Sequence, residues 1–109
     1  MDSKLKIYLD SIIKNIFIIL PLYERNNEGL ESYIHSFVFQ LNGWNDDVEE
    51  SVYAEYKALL NTLKELNKEV VREDSSHAVV RREVFKGIDI VKDIISKLEN
   101  GEAYERLSW

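Results

Sequence analysis

Two histidines are the first side chains in this sequence whose spacing could do chemistry. His35 follows Glu31 by four residues, and His77 follows Asp74 by three. Residues three or four apart share a helix face, so either pair could hold a metal ion or pass a proton between carboxylate and imidazole. Di-iron carboxylate bundles build such centres from inward-facing Glu-x-x-His pairs with further carboxylates. The chain contains no Glu-x-x-His. A pair on an exposed helix face accounts for Glu31 and His35, and a capping role accounts for Asp74. The expectation is therefore no metal, no cofactor and no catalytic residue.

Carboxylates are denser elsewhere. Asp46, Asp47, Glu49 and Glu50 fall within five residues, beginning two residues after Trp44. Two carboxylates can divide the roles of acid and base, but only where burial drives their pKa values apart. Placed in or near the first turn of a helix, these four are instead favoured by the positive end of the helix dipole. Two would suffice for that, and four repel one another by roughly a few tenths of a kcal/mol per pair. Like charge held together steers a positive partner and raises its rate of association. Trp44 beside it is the residue type of a binding hot spot. Trp44, Asp46, Asp47, Glu49 and Glu50 are accordingly the candidate partner-binding set.

Other chemistry is thin. None of the nine serines lies in Gly-x-Ser-x-Gly, and the four glycines form no phosphate loop. The absence of cysteine excludes disulfides, thiolate metal sites and a thiol nucleophile, and fits a reducing compartment. Arg81, Arg82 and Lys86 make a small basic cluster, but Glu83, Asp89 and Asp93 offset it, as on a solvated helix face.

The elements that must position these residues are helices. Punctuation falls at Pro21 with the "ERNNEG" that follows, at "NGWND", at "REDSS" and at Asn100–Gly101, which makes four segments in one domain. In the first, at about 3–20, Leu5, Leu9, Ile12, Ile16 and Ile19 form one stripe, broadened by Ile13, Phe17 and Leu20. In the second, at about 28–41, Leu30, Tyr33, Ile34, Phe37, Val38 and Leu41 share a face. Asn27 is placed to cap its start and Gly43 to end it in the left-handed conformation. In the third, at about 46–70, Val52, Tyr56, Leu59, Leu63, Leu66 and Val70 alternate spacings of four and three. In the fourth, at about 76–99, Val80, Val84, Ile88, Val91, Ile95 and Leu98 form the stripe, with Phe85 and Ile94 beside it and Ser75 or Ser76 as cap. Gly87, inside this helix, suggests a notch where another helix crosses closely. A tail at 100–109 carries Tyr104, Leu107 and Trp109.

This pattern predicts an all-α protein, a small four-helix bundle of up-and-down topology. Pro21 has no N–H to donate to the Phe17 carbonyl, so the first helix should end or kink there. The eight residues 16–23 are apolar or aromatic without interruption, proline included. They imply either that the first helix is central and buried on more than one side, or that part of the run faces outward and is covered by a second copy of the chain.

Charge sets the class of partner. The 109 residues carry a net charge of -6, and all of that excess lies within residues 26–71, where nine acids face three lysines. Nucleic-acid binding depends on Lys and Arg against phosphate, so none is expected. The longest apolar run is too short for a membrane span, and no signal peptide is expected. In fold class and charge the chain is similar to the small acidic immunity proteins and antitoxins that neutralise basic toxins. The expected function is a non-catalytic, cytoplasmic protein–protein interaction module, of inhibitor or immunity type, that binds a basic partner and can form a homodimer. The alternative is a metal- or small-ligand-binding bundle, enzymatic through His35 or His77.

Overall fold

A computed structural model describes the backbone of residues 3–107 and the side chains of residues 3–100. Four helices account for nearly all of it: α1 (Ser3–Glu24), α2 (Leu30–Gly43), α3 (Tyr53–Val70) and α4 (His77–Leu107). Two 3₁₀ turns, Asn45–Asp47 and Glu50–Val52, join α2 to α3. No strand occurs among the described residues.

Neighbouring helices are antiparallel. Lys6 pairs with Glu99, Phe17 with Phe85, and Glu24 with His77, so α4 descends as α1 ascends. The Tyr33 hydroxyl donates to the Asn15 carbonyl 2.9 Å away, tying α2 to α1. Lys97 pairs with Glu55, and the Ser76 N–H donates to Glu69, which fixes α4 against α3 at both ends. Each helix packs on the next in sequence, and α4 closes the ring on α1, as in an up-and-down bundle.

The expected stripes meet at the centre. Ile12, Ile16, Ile19, Ile34, Leu41, Leu59, Leu63, Leu66, Val80, Val84 and Val91 are essentially sealed from solvent. Two details differ from the expected pattern. Ile94 is buried and Ile95 only partly so, which reverses their order. Leu60 and Thr62 also lie inside, because α3 is gripped by α2 on one side and α4 on the other.

Pro21 does not end α1, which continues through it to Glu24. The helix is stopped by Asn26, the one non-glycine residue with positive φ among the described residues, at 53°. The Asn27 N–H reaches back to the Leu22 carbonyl and the Asn26 N–H to the Tyr23 carbonyl, both at 3.0 Å. That is the paired closure of a Schellman motif, with asparagine in the left-handed place usually held by glycine. The turn beyond the proline is anchored by tertiary bonds: Tyr23 hydroxyl to Ser75 hydroxyl at 2.7 Å, and Glu24 to His77 at 3.3 Å.

Other boundaries also move. Gly43 is the last residue of α2 and has no positive φ, so it is not a left-handed stop; the chain turns through Trp44 (φ -90°, ψ -4°) into the first 3₁₀ turn. Asn27 acts as a turn residue, its side-chain oxygen accepting the Gly29 N–H at 2.8 Å, and α2 begins at Leu30. Ser76 caps α4 as expected, its hydroxyl accepting the Val79 N–H at 3.4 Å. α4 does not stop at Asn100, so no separate backbone tail begins there. The expectation for the Tyr104, Leu107 and Trp109 side chains falls outside the described side chains.

Candidate functional site

The pole where α2 gives way to α3 gathers the candidate partner-binding residues. Val48 and Glu49 are extended (ψ 132° and 136°) and separate the two 3₁₀ turns, so no continuous helix runs from Asp46 into α3. α3 starts at Tyr53, with Glu55 the only acid in its first turn. Asp46, Asp47, Glu49 and Glu50 therefore do not occupy the first turn of α3, and its dipole does not explain the cluster. All four are exposed, and none forms an ion pair among the described residues. One bond bears on them: the Ser51 hydroxyl donates to Glu49 at 3.0 Å.

Trp44 is held beside them, with 45% of its surface exposed. Its ring stacks on Tyr8 of α1, centroids 4.2 Å apart and planes 12° from parallel. Beneath them lies a cavity of about 200 Å³, walled by Leu5, Leu9, Val52, Ile94 and Leu98, with Asp47 and Glu49 on its lining. Tyr56 closes its floor by donating its hydroxyl to the Leu41 carbonyl, which also accepts the Trp44 N–H at 3.2 Å. Burial, with repulsion from Tyr8 added, pushes the Tyr56 phenol far above its usual range, and burial raises Tyr8 as well. Nearby Tyr53 is exposed and shifts the other way, lowered first by the Asn45 side chain and then by Lys57. The pole thus presents an exposed aromatic face, a small apolar cavity and unpaired negative charge together. The cavity was not visible in the sequence, since its walls come from α1, the 3₁₀ segment, α3 and α4.

The histidines are placed apart from one another. His35 and Glu31 are both exposed, beside a groove between α2 and α3 that also borders Glu65 and Lys68. His77 pairs with Glu24 and lies beside the Tyr23 ring, centroids 6.3 Å apart, whereas Asp74 turns to Arg72 at 3.2 Å. Among the described residues, no three His, Cys, Asp or Glu side chains are grouped to hold a metal ion. Contrary to the expectation that no serine lies in Ser-x-x-Lys, Ser11 stands three residues before Lys14; its hydroxyl donates to the Tyr8 carbonyl at 2.6 Å. Of the basic cluster, Arg82 binds Glu83 at 3.4 Å and Arg81 lies over the Phe85 ring.

No protein family, curated protein or solved structure matches the chain. Among the described residues, no helix is long and apolar enough to cross a membrane.

Proposed function

We propose that the chain is a non-catalytic interaction module, of inhibitor or immunity type, that docks a basic protein through the pole bearing Trp44. The observation that carries this reading is the adjacency of an exposed, stacked Trp44 to four carboxylates that have no ion-pair partner among the described residues. Unpaired exposed charge costs little in water and becomes useful when a surface of opposite sign approaches. Trp44, already packed on Tyr8, offers contact area with little entropy left to lose. The cavity behind it has room for the aliphatic stem of a lysine or arginine, whose charged head would then lie near Asp47 and Glu49.

The test starts from the protein captured from its native host on the immobilised chain. Its association rate is then measured across a range of salt. The rate should fall as salt rises, and Glu49→Gln with Glu50→Gln should slow association while leaving the helical spectrum unchanged. Trp44→Ala should chiefly speed dissociation. A rate indifferent to both salt and the double substitution ends the proposal.

A further inference from the structure

The bundle has a second unusual surface, which shares no residue with the acidic pole. Ile7, Phe17 and Ile18 of α1 are 69%, 50% and 43% exposed, and Phe85 of α4 is 39% exposed. Phe17 meets Phe85 edge to face, centroids 6.4 Å apart, over an open groove between α1 and α4. Large apolar side chains grouped in the open mark a docking surface more often than an accident of packing. Three charges border the groove: Lys14, Asp89 and Lys92. None of the three has an ion-pair partner among the described residues.

Charge identifies what covers this face. α1 and the described side chains of α4 carry eight lysines and arginines against six acids, whereas residues 30–70 carry eight acids against three lysines. The acidic excess thus lies in residues 30–70, half of its carboxylates in the 3₁₀ segment at the Trp44 pole, whereas α1 and α4 are slightly basic. Two copies with a net charge of -6 each repel through most approaches. Meeting through the α1/α4 groove brings no carboxylate of the pole into the contact and joins apolar surfaces rimmed by both signs. A two-fold interface lays the same patch on itself, so the Asp89 of one copy can lie against a lysine of the other.

We infer that the α1/α4 face, centred on Phe17, Ile18 and Phe85, is the interface of a symmetric homodimer. The inference stands on a different surface from the acidic pole and does not depend on it. In the dimer the Trp44 poles stay accessible, because none of their residues lines the α1/α4 groove.

Sedimentation of the full chain over a concentration series tests it. Wild type should sediment as a dimer that dissociates on dilution. Ile18→Glu and Phe85→Glu should each give a monomer with an unchanged helical spectrum. Asp89→Lys touches no core residue and leaves three like charges around the patch, so it should weaken association by about tenfold or more. It keeps the test decisive should either glutamate variant lose helix. Wild type that stays monomeric at every concentration overturns the inference and leaves the face to another protein. Assemblies larger than a dimer overturn it in favour of head-to-tail stacking of basic side on acidic side. Association unaltered by Asp89→Lys and by the folded glutamate variants places the interface elsewhere.

Discussion

Tyr8 and Trp44 stack face to face at 4.2 Å, joining the first turns of α1 to the end of α2. This pair holds Trp44 at a fixed angle, and it covers the cavity that Tyr56 floors. A stacked pair of this kind contributes about 0.5–1.5 kcal/mol beyond its buried area. A double-mutant cycle of Tyr8→Ala and Trp44→Ala, read by urea unfolding, should return a coupling in that range. Strict additivity would mean that the rings do not support each other in solution.

Ile16 and Phe17 are sequence neighbours with opposite fates. Ile16 is fully buried and Phe17 half exposed. Ile16→Ala should cost about 2–5 kcal/mol, a large part of the stability of a domain this size. Phe17→Ala, measured on dilute protein, should cost less than about 1 kcal/mol. Equal costs would contradict the orientation of α1.

Gly87 should be improvable. It is buried, and a Cβ built there meets Ile16 at 3.6 Å and Leu59 at 3.9 Å, ordinary contact distances. The expected close crossing is present, yet it leaves room for a methyl group. Gly87→Ala should gain up to about 1 kcal/mol from helix propensity, raising the melting temperature by about 4 °C. A lowered melting temperature would show that α1 and α3 pack closer on α4 than described.

Alkaline pH should destabilise the protein through Tyr56. Its folded pKa lies above the ordinary phenol value of 10.0 because burial disfavours the phenolate. The unfolded chain therefore loses this proton first. The stabilisation is complete below about pH 10 and is lost as pH rises toward the folded pKa. Tyr56→Phe should make that decline shallower, though not abolish it, since Tyr8 and Tyr33 are raised by burial too. At neutral pH the variant should cost about 0.5–1.5 kcal/mol, the Leu41 carbonyl keeping the Trp44 N–H. An unchanged alkaline slope would remove Tyr56 from the account.

The apolar spacing of each segment was enough to identify four helices and most of the core, because a helix with one apolar face has few ways to hide it. Leu9, Ile12, Ile16 and Ile19 on α1 and Leu59, Leu63 and Leu66 on α3 were legible for that reason. Local composition also singled out Trp44 and the four carboxylates after it. What sequence could not settle was where one local signal outweighs another. Pro21 reads as a helix stop or kink, yet α1 runs past it, with Tyr23 and Glu24 bound to Ser75 and His77 across the bundle and Asn26 taking the left-handed turn. Asp46 reads as a helix start, yet the chain makes two 3₁₀ turns first, and Val52 at the end of the second is buried among the helices. Which half of the run at 16–23 faces inward was likewise open. α4 and α2 each cover one flank of α1 and leave Phe17 and Ile18 in the open, because a ring of four helices gives each member only two neighbours.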